Sequence, residues 1–303
     1  FYPSSLEKGI RSERALKLAI AEMYVKGVAT RKVSAIVEEL CGTEVSSTQV
    51  SDAAKELDAE IDVWRNRPLG RYQYLMLDAR YEHVRQANAV VSSAVLVAVG
   101  MTYDGQRELL GVSVSLSEAE VHWRQFLQSL MERGMHGLTM VISDAHTGLR
   151  KALETCFPGT PWQRCQFHLQ QNAMSHVPKV SMRTEVAADI RSVLNAPDRQ
   201  EADRLLNIRI DKYRSSAPDL ATWLEENVPQ SLTVFQVPAA HRRMLRTTNM
   251  VERLNREIKK RTKIASIFPN PESALRLVAA MLMETSEQWL NGKRYLPTEQ
   301  TQS

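Results

Sequence analysis

Between Arg11 and Lys26 the apolar residues fall at 15, 16, 19, 20 and 23, a stripe of helical period that Gly27 ends. A second stripe, Val33, Ile36, Val37 and Leu40, predicts a helix capped by Thr30 and ended at Cys41-Gly42. Ser46 or Ser47 can cap a third helix, running to about Glu60. Two helices joined by a short Gly-containing turn fit a helix-turn-helix. Its last helix would offer Ser47, Thr48, Gln49, Ser51 and Lys55 to a DNA groove. A small helical bundle that binds no nucleic acid fits the same pattern, and a net charge of −2 over residues 11–60 leaves that alternative open.

Past Pro68 and Gly70 the pattern turns to strands. Tyr72 to Asp78 is apolar and β-prone, and Val90–Val99 and Glu108–Ser115 flank Asp104-Gly105, a hairpin signal. Ser117, with Glu120 three residues on, reads as a capping box opening a helix with Trp123, Phe126, Leu127 and Leu130 inward. Leu138–Ile142 predicts a short buried strand ending at Ser143-Asp144. A helix over about 148–155 follows, then a strand within Pro161–Phe167 that leads into another helix. Residues 178–240 differ: three polar, helix-prone pieces separated by Pro197, Pro218 and Pro229, with no strand signal. Ser273–Leu290 predicts a final amphipathic helix. The pattern is that of a mixed α/β sheet interrupted by a helical insertion.

Composition narrows the classes. At 303 residues there is room for two or three domains, and no run approaches the roughly 20 apolar residues of a membrane span. The cysteines, 41, 156 and 165, are odd in number and widely spaced, which argues for a reduced, intracellular protein without a disulfide framework. Charge is uneven. Residues 242–263 hold nine Lys/Arg and two Glu, net +7 in a chain of net +4. A helix this basic is a footprint for phosphate.

That segment carries Glu252, and Asp78 and Asp144 each close an apolar strand. Carboxylates at the rims of adjacent strands can converge on rigid backbone, and Mg²⁺ takes a few such oxygens while keeping positions for water and phosphate. Two ions about 4 Å apart would suit cleavage of a nucleic-acid backbone. Each Asp alone reads more readily as a strand-end or cap residue; the pair, with a third acid on a basic helix, shifts the balance toward a metal site. Glu252 and Glu257 cannot both face one metal, being five residues apart on a helix. Glu257 has Arg253 and Arg261 at i−4 and i+4, but Glu252 has Arg256 at i+4, so local charge does not choose between them. Cys165 and His168 form a CxxH pair. It could be half of a zinc site, with Cys156, His146 and His176 as further ligands at no recognised spacing. The simpler reading is a buried Cys and a His satisfied by the backbone.

The segments DGQRELLGVSVS, W-x2-FL-x2-L-x2-RG, VISDAHTGLRKAL, FPGTPWQRCQFHLQQNA and TTNMVERLNREIKKRT-x4-FPN, in this order from about Ala29 to Val278, resemble Mutator-type bacterial insertion-sequence transposases. The resemblance implies an RNase H-like core, an all-helical insertion before the last acid, and a DDE triad at Asp78, Asp144 and Glu252, spaced by 66 and 108 residues. It thereby selects Glu252 over Glu257. It places a C/D-x2-H motif on Cys165 and His168 and an N-x2-E-R signature on Asn249 and Arg253. His168 would position the scissile or flanking strand.

The domains expected are a helical DNA-binding region over 1–66, a catalytic core over 67–177 and 241–303, and the insertion over 178–240. The chain begins at Phe1 and lacks the family's upstream residues, so part of the end-binding region is expected to lie outside it. Two Mg²⁺, or Mn²⁺ in their place, are the implied cofactors. The implied partners are transposon terminal inverted repeats, target DNA and a second copy of the chain, in the bacterial cytoplasm at the nucleoid. Arg256, Lys259 and Lys260, with Lys32 and Lys55 near the N-terminus, are candidate phosphate contacts. Two rival readings are a DNA-binding regulator on an inactive scaffold, against which all three acids are present, and a general RNase H-class nuclease.

Overall fold

The computed structural model describes residues 20, 23, 28, 30–41, 46–55 and 57–297. Apart from Ile20 and Met23, the helix expected over Arg11–Lys26 lies outside them. Helix α1 (Thr30–Cys41) and α2 (Ser47–Lys55) match the N-terminal stripes. Val33, Val37 and Val50 bury against Ile20 in a small cluster of their own. A capping box opens α2: the Ser46 N–H donates to Gln49 Oε1 at 2.8 Å, and the Gln49 N–H donates to Ser46 Oγ at 3.2 Å.

The third predicted helix does not run to Glu60. It stops at Lys55, and α3 (Asp58–Asn66) starts afresh. Leu57, Ile61 and Trp64 join the core under the sheet, and Asp58 accepts two bonds from the Arg276 guanidinium at 2.6 and 2.8 Å. One straight helix could not serve both cores.

Five strands follow the order β3-β2-β1-β4-β5. β1 (Tyr74–Gln86), β2 (Ala89–Met101) and β3 (Arg107–Ser115) form the expected antiparallel meander, while β4 (Met140–Ser143) and β5 (Trp162–Arg164) add in parallel. Both faces of the sheet are covered, which is why β1 and β2 read as apolar runs rather than alternations. Tyr74, Met76, Val95, Val97 and Val99 face one layer of core; Leu75, Leu77, Leu96 and Ala98 face the other. The second layer is completed by α4 (Glu120–Glu132) and α5 (Thr147–Cys156) through Trp123, Leu127, Leu130 and Leu149.

The Asp104-Gly105 turn forms as expected. Gly105 has φ +82, and a Cβ there would stand 2.3 Å from the Leu296 carbonyl oxygen, so the C-terminal segment can lie directly on the turn. The Tyr295 and Leu296 N–H groups donate to the Gly105 carbonyl at 2.8 and 3.1 Å. The capping box at Ser117 does not form. α4 begins at Glu120, and Ser117 Oγ instead accepts from the Ala119 N–H at 3.3 Å. Residues 118–120 pass over Gly148, where a Cβ would meet the Glu118 carbonyl oxygen at 2.2 Å, and this crossing keeps Glu118 and Ala119 out of the helix.

Helix α6 (Gln166–Ala173) leads into the all-helical stretch: α7 (Arg183–Leu194), α8 (Arg199–Tyr213) and α9 (Pro218–Asn227), with its own core of Val186, Ile190, Leu206, Tyr213, Leu220 and Leu224. Pro218 opens α9 at a position where no N–H is needed. Gln163 of β5 pins the exit, donating to the Ser231 carbonyl at 2.8 Å and accepting from the Val234 N–H at 2.6 Å.

The basic segment is not one helix. α10 (Ala239–Leu245) and α11 (Asn249–Ala265) are separated at 246–248. There the Arg246 carbonyl accepts from the Gln166 N–H at 2.9 Å, and the Thr248 N–H donates to Cys165 Sγ at 3.4 Å. Tertiary bonds to α6 thus replace helical ones. α12 (Pro271–Leu290), capped by Asn270 Oδ1 at 2.8 Å from the Ser273 N–H, closes the first core layer.

Candidate active site

Asp78 does not close its strand, as the apolar run had suggested. It lies inside a thirteen-residue strand whose second half continues as a hairpin with β2, opposite Val97. The rim belongs to β4, whose pairing with β1 ends at Met76–Ile142. Asp78 and Asp144 each therefore sit two residues beyond the last parallel pair. Side chains alternate along a strand, so Asp78 shares a face with Met76, Arg80, Glu82 and Val84. That face meets α11. Asn255 Nδ2 donates to Asp78 Oδ2 at 2.8 Å, Arg80 donates to the Asn255 carbonyl, and Thr262 Oγ1 donates to Glu82 Oε1 at 2.9 Å.

The same stripe of α11 carries Glu252, one turn before Asn255. Its Oε1 is 3.3 Å from Thr248 Oγ1 and 4.0 Å from His168 Nε2. Glu257 points elsewhere: it is exposed and paired with Lys260 at 2.7 Å, rather than with the Arg253 or Arg261 its spacing suggested. The i−4 and i+3 neighbours Thr248 and Asn255 went unremarked in the sequence. Their helical spacing from Glu252 was the available signal.

Asp78 is 8% exposed. Burial above all, with the charges of Asp144 and Glu252, pushes its carboxyl up to about 7 against the opposing pull of His168. Asp144 follows β4, and its Oδ1 accepts from the His146 N–H at 3.2 Å.

Cys165, fully buried, precedes α6 and takes donors from Thr248, with Thr248 Oγ1 at 3.3 Å from the sulfur. Burial works against thiolate formation, but the donors from His168 and Thr248 outweigh it and hold the thiol below its usual range. His168 lies one turn along. The neighbouring sulfur most of all, then the charges of Asp78 and Glu252, push its imidazole up to about 9 in spite of burial. Cys165 Sγ, a His168 ring nitrogen and a Glu252 oxygen lie within 4.8 Å of one another. Of the other conceivable zinc ligands, His146 stands 3.9 Å from Glu118 and His176 stacks on Trp223. Cys156 and Cys165 are both free.

The remaining candidates lie apart. Arg253, Arg256, Lys259 and Lys260 line the exposed faces of α11, with Asn249 at its first turn. Lys32, Thr48 and Gln49 are exposed on α1 and α2, Ser47 opens α2, and Lys55 pairs with Asp52 at 2.7 Å. No helix among the described residues is long and apolar enough to cross a membrane.

Known proteins share this sequence broadly. The transposase for insertion sequence element IS406 of Burkholderia multivorans is 53% identical over 98% of this chain and 77% of its own. That for ISRM5 of Rhizobium meliloti is 43% identical over 98% of this chain and 74% of its own. Among solved structures, the Drosophila P element transposase strand transfer complex aligns with 90% of this chain and 92% of its own, at 11% identity and a TM-score of 0.47. The family described as "Transposase, Mutator family" matches residues 1–292, and the chain belongs to that family.

Proposed function

We propose that this chain is a DNA transposase that cuts phosphodiester bonds at the ends of an insertion sequence and joins the freed 3′-OH to target DNA. One observation carries the chemistry: Asp78 is buried beside two further carboxylates, Asp144 and Glu252. Family membership supports the substrate. The sheet order, with an all-helical stretch between β5 and α11, supports an RNase H-like core with its insertion over 178–240.

The donor set fits Mg²⁺ or Mn²⁺. Carboxylate oxygens are hard ligands, and two of the three, on Asp78 and Glu252, have His168 as a cationic neighbour. A soft-metal site at Cys165 is less suited, since that sulfur already takes two donors from Thr248. Asp78, Asp144 and Glu252 would hold two ions. When bound, these supply a nucleophile at neutral pH and stabilise the leaving oxygen. Asn255 fixes the rotamer of Asp78, and Thr248 that of Glu252. His168, charged at neutral pH, can hold a phosphodiester oxygen of the flanking strand. The cations of α11 hold further phosphates. The helix pair α1–α2, with residues 1–66, would read the terminal repeat through Thr48 and its neighbours. Pairing two ends calls for a homodimer, and the substrate places the protein at the nucleoid.

Asp78→Asn, Asp144→Asn and Glu252→Gln should each lower Mn²⁺-dependent cleavage of end DNA by about 10³-fold or more, with DNA binding largely kept. An active Glu252→Gln protein beside a dead Glu257→Gln one would overturn the assignment.

A further inference from the structure

A cavity of about 450 Å³ opens on the flank of α11 next to the acid-bearing stripe. Arg107 at the start of β3, Arg243 of α10, and Asn249 and Arg253 of α11 line it, together with Trp289 and Tyr295. The Arg107 guanidinium lies over both rings, 4.3 Å from Trp289 and 5.1 Å from Tyr295, and its Nε is buried without a hydrogen-bond partner. None of the three arginines pairs with a carboxylate among the described residues. The one acid at the rim, Glu257, is held by Lys260 at 2.7 Å.

Three guanidinium groups on one cavity repel one another until an anion arrives. Their planar forks suit a phosphate. The aromatic wall suits a planar base, and arginine with aromatic side chains is the pairing that single-stranded nucleic acid uses. The volume falls in the range of about 300–1,000 Å³ that takes a small organic ligand. Asn249 and Arg253 bracket Glu252 within about one 5.4 Å turn, but on the adjoining face. A nucleotide in the cavity is therefore a neighbour of the one at the acids. A paired base stays in its stack, so only an unpaired nucleotide can fill both the cationic and the aromatic half.

We propose that this cavity seats one unpaired nucleotide of the strand passing over Glu252, its phosphate on Arg107, Arg243 and Arg253 and its base against Trp289 and Tyr295. The proposal rests on the transposase function above. A free nucleotide carries the same chemistry, so the test includes both sources.

Fluorescence polarisation of the full chain, in chelator so that no cleavage occurs, would compare a short blunt duplex, the same duplex with an unpaired thymidine tail, and thymidine 5′-monophosphate. The tailed duplex should bind roughly tenfold tighter than the blunt one, the size of one base–aromatic stack. Arg243→Gln, at an exposed position, and Trp289→Leu should each collapse that ratio toward one. An unchanged ratio in both variants, or equal weakening on both duplexes, would overturn the proposal. So would micromolar binding of the monophosphate, lost in Arg243→Gln, with no preference for the tail. If the wild-type chain bound neither duplex, the transposase function would fall and this proposal with it. Duplex binding with no tail preference sinks the proposal alone.

Discussion

Two aspartates, Asp78 of β1 and Asp189 of α7, are each 8% exposed, yet they live in opposite electrostatic surroundings. Asp189 Oδ2 accepts from Lys212 Nζ at 2.5 Å and from the Tyr213 hydroxyl at 2.6 Å, and Arg209 Nε stands 3.2 Å from Oδ1. Burial alone would raise its carboxyl; those partners outweigh it and hold it below the usual range. Asp78 has one neutral side-chain amide, and the pull of His168 and of the Ala79 N–H does not offset burial and its acidic neighbours. The helical insertion compensates its buried charge from within, whereas the sheet offsets its own only in part. A buried carboxyl displaced upward in this way is a candidate for function.

The comparison can be broken by paired amide substitutions. A carboxyl held low stabilises the fold above its unfolded pKa of about 3.9, and that contribution is lost as pH falls through the folded value. Asp189→Asn should therefore cost about 2 kcal/mol near neutral pH, the worth of hydrogen bonds to a charged group, and should flatten the acid limb of the stability curve. Asp78 has the opposite sign: a carboxyl raised to about 7 loses stability as pH climbs from its unfolded value through 7. Asp78→Asn should raise the metal-free Tm at neutral pH. Denaturant titrations that moved both variants in one direction would erase the distinction.

A smaller effect sharpens it. Asn255→Ala should weaken Mn²⁺ binding about tenfold, the lower end for loss of a group that orients a metal ligand. Calorimetry showing unchanged affinity would leave Asn255 a packing residue. The smallest effect lies on the outer face of α11. Each lost phosphate contact should flatten the dependence of log K on log salt by about 0.9. Arg256→Gln and Lys259→Gln should show it in full, and Lys260→Gln less, because Glu257 already holds Lys260 at 2.7 Å.

The sheet was legible because its strands are buried on both faces, so β1 and β2 stand out as apolar runs with a turn residue, Gly105, where the chain reverses. The other hairpin, at Ala87-Asn88, gave no such signal: both residues take positive φ, 44 and 65, without a glycine. The far half of β1 was invisible for a related reason. Tyr81, His83 and Arg85 alternate with Glu82 and Val84 on a ribbon with one exposed face, and polar residues hid the strand. Charge alone did not show the break at 246–248, because it depends on Gln166 and Cys165, some 80 residues earlier in the chain. At the acids, charge pattern left Glu252 and Glu257 level; the family resemblance implied Glu252, and the stripe it shares with Asn255, against the exposed Glu257–Lys260 pair, supports that proposal.

The ribbon that extends β1 past Asp78 is closed by the loop after α11: the Phe268 N–H donates to the His83 carbonyl at 2.8 Å, and the Arg85 N–H to the Phe268 carbonyl at 2.8 Å. These bonds join segments more than 180 residues apart. A chain emerging from the ribosome completes the β1–β3 meander long before the segment bearing Glu252 exists. Glu252 can meet Asp78 only after α11 has been made and has folded back onto β1. The order of synthesis thus keeps Glu252 away from Asp78 and Asp144 until long after the meander that carries Asp78 has been made.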